Sequence, residues 1–190
     1  MSKRLYILAG CNGAGKTTAS FKVLPELINC NEFINADDIA KLISPFEPES
    51  VAILAGRIML SEIQNLIEAE KTFCFETTLA AKSYKNIILQ AQKSGYIVTL
   101  LFFWLNSVDL ALERVTSRVK SGGHYIPADV IKRRYAGGLQ NLFKIYLPIV
   151  DNFMIFDSSN AVLDLIASKR LSQPIKINNP STWQHLKKSS

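Results

Sequence analysis

The sequence predicts an α/β fold built on a parallel sheet, and three observations predict it. Short apolar runs alternate with longer amphipathic stretches along the chain. Residues 97–104, Ile-Val-Thr-Leu-Leu-Phe-Phe-Trp, are apolar almost throughout, the pattern of a strand covered by helices on both faces. A glycine-rich loop at 10–17 joins the first apolar run to a helical pattern, which is the connection inside a βα unit.

Five strands are expected, at 4–9, 32–35, 72–76, 96–104 and 152–157. Helices fill the gaps. One runs over 16–28. A second covers 50–70, with Ser50 as N-cap after Pro48. A third covers 84–93 and stops before Gly95, a C′ glycine. The helix over 107–120 places Val108, Ala111, Leu112, Val115 and Val119 along one side. Another starts after Pro127 and reaches Tyr135, and Gly137-Gly138 is expected to break it before a segment at 139–146. A last short helix is expected at 161–170. The expected organisation is one domain over 1–170, with a lid at about 114–135, followed by a loosely packed extension over 171–190.

Composition narrows the class. A chain of 190 residues fits one domain. Apolar residues at 48% and charged residues at 20% exclude disordered and collagen-like chains. The longest apolar run, 97–105, is shorter than the roughly 20 residues of a membrane helix. Five apolar residues after Arg4 end in the glycine loop, too short a stretch for a signal peptide. The three cysteines, Cys11, Cys30 and Cys74, have no metal or disulfide spacing, so a reduced, cytoplasmic chain is expected. A net charge of +6 favours anionic partners in general.

Residues 10–17, Gly-Cys-Asn-Gly-Ala-Gly-Lys-Thr, match the phosphate-loop (Walker A) pattern G-x-x-x-x-G-K-[ST] without a misfit. Gly10, Gly13 and Gly15 let the backbone wrap a phosphate and turn its N–H groups inward. The helix that begins near Lys16 adds its positive end. Asn12, Gly13, Ala14, Gly15, Lys16, Thr17 and Thr18 are therefore the candidate nucleotide contacts, with Lys16 reaching the β- and γ-phosphates and the Thr17 hydroxyl reaching Mg²⁺. Cys11 is either a small loop filler or a thiol whose pKa the loop dipoles lower.

Phosphoryl transfer also needs a base and cations. The second strand ends in Ala36-Asp37-Asp38, at the edge of a parallel sheet where active crevices form. Asp37 is the first candidate base and Asp38 the second, and one of them can cap a helix over 39–43. The third strand ends in Glu76-Thr77-Thr78. If it neighbours the first strand, Glu76 lies beside the loop, to orient a metal shell or bind the acceptor, and Thr77 lines the acceptor pocket. The segment from Arg114 through Gly122-Gly123 to Arg133-Arg134 is basic and hinged, as a lid closing on a phosphate must be. Arg114 and Arg118 lie four apart on one helix face, where like charges repel unless an anion sits between them. His124 receives no role.

The blocks at 10–17, 33–40 (Phe-Ile-Asn-Ala-Asp-Asp-Ile-Ala), 75–79 (Phe-Glu-Thr-Thr-Leu) and Arg118…Gly122-Gly123…Arg133-Arg134-Tyr135 resemble the zeta toxin-like P-loop kinases, in particular their stand-alone bacterial branch. The resemblance spans about residues 4–160. It implies a three-layer P-loop fold with a five-stranded parallel sheet and a small helical lid. It also implies phosphorylation of a small-metabolite hydroxyl with ATP and Mg²⁺; in the toxin members the acceptor is a UDP-N-acetyl sugar. Under it Lys16 and Thr17 fall on the nucleotide and metal positions, Asp37 on the base, and Arg118 with either Arg133 or Arg134 on the lid arginines. Asp157, followed by two serines, resembles the turn beside the adenine. An antitoxin protein is the implied macromolecular partner. The Glu76-Thr77-Thr78 block departs from the toxins' glycine-containing version, so the resemblance is stronger for the donor than for the acceptor. A polynucleotide-end kinase and a non-catalytic ATP-binding module are the alternatives. No basic, aromatic-rich groove for nucleic acid is visible, and a kinase of this size can act as a monomer.

Overall fold

The computed structural model describes residues 3–18, 30, 32–123 and 125–189. Its centre is a seven-stranded sheet of order β2-β3-β1-β4-β5-β6-β7. The strands are β1 (Arg4–Ala9), β2 (Glu32–Asn35), β3 (Phe73–Thr77), β4 (Ile97–Trp104), β5 (Asn152–Asp157), β6 (Asp164–Lys169) and β7 (Lys176–Ile177). The first five in this spatial order are parallel, while β6 and β7 add antiparallel at the far edge. The five parallel strands are the expected ones, within a residue at each end.

Strand alternation explains the layers. Leu5, Ile7 and Ala9 face one side of β1, and Tyr6 and Leu8 face the other. The first face is covered by α2 (Ala52–Glu68) through Met59, Ile63, Leu66 and Ile67, and by α3 (Tyr84–Lys93) through Ile88 and Ala91. The second packs against α4 (Val108–Lys120) through Ala111 and Val115, and against Ile131 of α5 (Ala128–Asn141). By length and composition alone Pro48–Glu68 is apolar enough to cross a membrane. Its inner face is instead part of this core.

The structure corrects several expectations. Residues 16–18 are helical, and the rest of the helix expected over 16–28 lies outside the described residues, as does His124. Ser50 caps no α-helix. It sits in a 3₁₀ turn (Pro48–Val51) and its hydroxyl donates to the Glu47 carbonyl. Neither aspartate caps α1 (Ala36–Ile43). Asn35 does, its Oδ1 accepting from the Asp37 N–H at 2.8 Å, so the helix starts three residues early.

Gly137-Gly138 does not break α5. A Cβ on Gly138 would lie 2.3 Å from the Thr78 carbonyl oxygen, so glycine here lets the helix backbone touch the segment after β3. A π turn (Leu142–Tyr146) follows. The segment expected as a helix at 161–170 is β6, because the edge of β5 offers unpaired N–H and C=O groups that antiparallel pairing satisfies.

The tail also differs from expectation. It ends in α6 (Pro180–Lys188), whose N-cap Asn179 accepts from the Thr182 N–H. Trp183 and Leu186 of this helix are buried in the main core, at 8% and 0% exposure. Burying one such side chain contributes roughly 1.5–3 kcal/mol, enough to hold a short terminal helix in place.

Candidate functional site

Register builds the site. Leu8 pairs with Glu76 and Ala9 with Thr77, while Asn35 pairs with Glu76 from the other side. The carboxyl ends of β1, β2 and β3 therefore lie at one level, and the loops leaving them share one crevice. A cleft of ≈ 260 Å³ opens there. It is lined by Asn12 and Lys16 of the glycine loop, Asn35, Ala36 and Asp37 at the start of α1, Ala52 and Gly56 of α2, Glu76 to Thr78, Ala80, Ala81, Tyr84 and Arg134.

The glycine loop leaves β1 with Gly10 at φ +146°. A Cβ there would lie 2.3 Å from the Phe103 carbonyl oxygen, so only glycine passes this close to β4. The loop folds around its own lysine. Lys16 is 6% exposed, donates to the Cys11 carbonyl at 3.0 Å and lies 3.5 Å from Glu76 Oε1. The other oxygen of Glu76 accepts from Thr17 Oγ1 at 2.9 Å. Thr17 and Thr18 are exposed beyond the loop. Ala14 and Asn12 are buried, Gly13 is half-buried against Ala111 of α4, and Gly15 is exposed.

Cys11 is buried within the loop, and desolvation pushes its thiol up to about 11, with Lys16 opposing only in part. Of the two readings of Cys11, burial favours the small loop filler, because loss of water around the thiolate outweighs the nearby positive groups.

The two aspartates separate. Asp37 is half-buried and lines the cleft; Asp38 is exposed, off the lining, and pairs with Lys41 at 3.5 Å. The arginines separate as well. Arg134 lines the cleft and donates to Asn12 Oδ1 at 3.4 Å, whereas Arg133 and Arg118 are exposed and outside the lining.

Arg114 does not wait with Arg118 for a shared anion. Its guanidinium donates to the carbonyls of Ser158 at 2.8 Å, Ser159 at 2.7 Å and Gly13 at 3.5 Å. Asp157 stands at that same turn, its Oδ1 accepting from the Ser159 N–H. Arg114 thus fastens the turn after β5 to the glycine loop.

The cleft wall opposite the loop is built by residues 78–81 and Tyr84. Leu79 has φ +58°, a left-handed conformation that costs a non-glycine residue roughly 1–2 kcal/mol. It is held there by the Thr77 hydroxyl, which accepts its N–H, and by Asn141, whose Nδ2 donates to the Leu79 and Ala80 carbonyls. The Tyr146 hydroxyl donates to the Ala81 carbonyl. Tyr84 stacks on Phe75 with centroids 5.1 Å apart. Burial pushes its phenol up and the Asp37 charge adds to this, while a hydrogen bond with Thr77 works the other way.

Sequence reasoning missed Tyr84, the alanines of the wall and the Arg114 clip. Tyr84 had one usable signal, its position at the first turn of a helix after a strand that ends in polar residues. The alanines carry none.

The family model described as Zeta toxin matches residues 1–166. An uncharacterized protein of Haemophilus influenzae is 35% identical over 136 residues, covering 71% of this chain and 94% of that protein. Among solved structures, a chain of the AvrRxo1-ORF1:-ORF2 complex with ATP superposes with TM-score 0.75 at 16% identity, over 97% of this chain and 63% of that one. The chain thus spans less than two thirds of that neighbour. A chain of the PezAT chromosomal toxin–antitoxin system of Streptococcus pneumoniae gives TM-score 0.64 at 15% identity, over 100% and 86% of the two chains. Shikimate kinase from Acinetobacter baumannii, in complex with shikimate, gives 0.50 at 19% identity, over 80% and 82%. At such identities these structures share the fold, that of P-loop kinases.

Proposed function

The chain belongs to the zeta toxin family, and we propose that it is an ATP-dependent phosphotransferase acting on a hydroxyl of a small molecule. One observation carries the reading. The same cleft holds a loop lysine, an arginine and a carboxylate, Lys16, Arg134 and Asp37, on walls that face it from different elements.

In this reading the loop N–H groups and the helix start at Lys16 hold the donor polyphosphate. The Lys16 ammonium, now shared by the Cys11 carbonyl and Glu76, passes to the donor phosphates. Arg134 neutralises the charge that develops on the transferring group. Asp37 accepts the proton of the acceptor hydroxyl as its oxygen bonds to the terminal phosphorus and the bond to ADP breaks. Thr77 and Asp38 are assigned to the acceptor side, Asp38 at the rim. The loop between α4 and α5, with Arg118 and Arg133 on its flanks, is the segment assigned to close over the donor. The turn at Asp157 is assigned to the adenine.

Thr17 Oγ1 and the Glu76 carboxylate meet beside Lys16, an oxygen pair of the kind that hard cations take. They fit Mg²⁺, which when bound there would offset the negative charge of the donor phosphates.

The fold shared with a chain of the PezAT chromosomal toxin–antitoxin system supports a protein partner of antitoxin type. A cytoplasmic location is part of this proposal, supported by the free cysteines Cys11, Cys30 and Cys74. The proposed working form is a monomer or weak oligomer.

The test is incubation with γ-labelled ATP and a panel of sugars, nucleotide sugars, nucleosides and oligonucleotides. Label is expected on a small-molecule hydroxyl. Label on oligonucleotide ends would instead mark a polynucleotide kinase, and free phosphate alone an ATPase module.

A further inference from the structure

We infer that Asn141 positions the acceptor: from the end of α5 it holds the segment between β3 and α3 in the shape that turns its side chains into the cleft. This rests on the kinase reading and adds a positioning residue to its acceptor side.

The segment, residues 78–83, lies between β3 and α3, so neither element fixes its course. Thr78, Ala80 and Ala81 line the cleft between Glu76 and Tyr84. Four successive carbonyls of the segment turn to α5 and the π turn instead. Asn141 Nδ2 donates to those of Leu79 and Ala80, at 2.8 and 3.0 Å, and the Tyr146 hydroxyl donates to that of Ala81. The Thr78 carbonyl lies against the backbone at Gly138. Asn141 and Tyr146 are 4% and 0% exposed, so turning these carbonyls away would strand buried donors.

The bend needs holding. Leu79 stands at φ +58°, which a side chain disfavours, and it is fully buried. Its N–H goes to the Thr77 hydroxyl and the Ala80 N–H to the Thr78 hydroxyl. Relaxation of Leu79 toward negative φ would therefore move both hydroxyls and swing Thr78 and Ala80, its neighbours in the cleft lining.

The same helix face reaches the donor loop. Arg134, Gly138 and Asn141 are spaced four and three residues apart, one stripe of α5. Arg134 donates to Asn12 at one end of the stripe, and Asn141 holds the wall at the other. Ile131 and Leu139 bury α5 against the sheet, and the Tyr135 hydroxyl donates to the Leu105 carbonyl at 2.7 Å. The wall is thus set relative to the groups that meet the transferring phosphate. A displacement of about 1 Å at such a place can cost about 10²-fold in rate.

A strap that served stability alone would satisfy the same carbonyls, but the two roles differ in kinetics. Loss of folded protein lowers kcat in proportion and leaves both KM values unchanged. A displaced wall weakens the acceptor and spares ATP.

Initial rates of transfer from γ-labelled ATP are measured on the wild type, Asn141→Ala and Tyr146→Phe. The acceptor is a UDP-N-acetyl sugar or, where that takes no label, the best-labelled member of the panel. Asn141→Ala is expected to raise KM for the acceptor at least about tenfold and to lower its kcat/KM about 10²-fold. KM for ATP, and the calorimetric Kd of a non-hydrolysable ATP analogue, should stay within about twofold. Tyr146→Phe keeps the buried ring and loses one bond, so the same shift is expected at about threefold; if Asn141→Ala does not fold, this variant carries the test. Hydrogen exchange over 78–82 should quicken in both, with β1 and β4 unchanged. An unaltered acceptor KM, a matching rise in KM for ATP, or unaltered exchange over 78–82 overturns the inference. A wild type that labels no acceptor is a different result: it overturns the kinase reading on which the inference rests.

Discussion

Thr17 and Glu76, 59 positions apart in the chain, are joined by a 2.9 Å hydrogen bond from Thr17 Oγ1 to Glu76 Oε2. The bond exists because β3 enters the sheet beside β1 and sets Glu76 level with Leu8, just before the glycine loop. The other Glu76 oxygen faces Lys16, so one carboxylate organises both the hydroxyl and the ammonium of the loop.

Glu76→Gln keeps an acceptor for Thr17 and removes the charge. Transfer is expected to fall about 10²–10³-fold, the scale of losing one preorganised electrostatic group. Initial rates of labelled-phosphate transfer check this, and an unchanged kcat removes Glu76 from the site.

Asp37 and Asp38 are neighbours in sequence with opposite surroundings. Asp37→Asn is expected to lower kcat about 10²–10⁴-fold while leaving ATP affinity nearly intact, as loss of a base does. Asp38→Asn should change kcat only a few-fold, since Asp38 lies outside the lining beside Lys41. Rates and ATP binding measured on both variants decide between them; the reverse order would move the base to Asp38.

Arg114→Met removes the donors that tie Gly13 to Ser158 and Ser159. Part of the guanidinium reaches solvent, so the loss of stability is expected near 2 kcal/mol rather than the sum of its bonds, or roughly 4–8 °C in Tm. KM for ATP should rise more than kcat falls, because the clip shapes the donor loop without touching the acceptor wall. Calorimetry and steady-state kinetics read the two effects separately.

Leu186→Ala tests whether the C-terminal helix belongs to the core. Leu186 is fully buried, and its truncation is expected to cost about 2–5 kcal/mol. The urea midpoint should fall with little change in slope. A change within about 0.5 kcal/mol would return the tail to a loose extension.

The parallel half of the fold was legible because its signals are local. β1, β2 and β5 are bounded by glycine or polar residues, and β4 is apolar on both faces, which only a doubly covered strand requires. The glycine loop was legible for the same reason, since its backbone must pass β4 at Gly10 and no other residue type can. The segment at 161–170 was not. A short apolar run suits helix and strand alike until the open edge of β5 supplies hydrogen-bond partners.

What the sequence by itself determined is the chemistry available: which loop carries the lysine, which strand ends carry acids, which segment carries arginines. Only the tertiary structure decided which of these groups meet. Asp37 rather than Asp38 and Arg134 rather than Arg133 line the cleft, and Arg114 turns to backbone carbonyls instead of a ligand. The physical reason is that a side chain's direction depends on helix phase and strand register. Asn35 sets that phase for α1 by capping it, and β3 sets the register for Glu76 by pairing with β1.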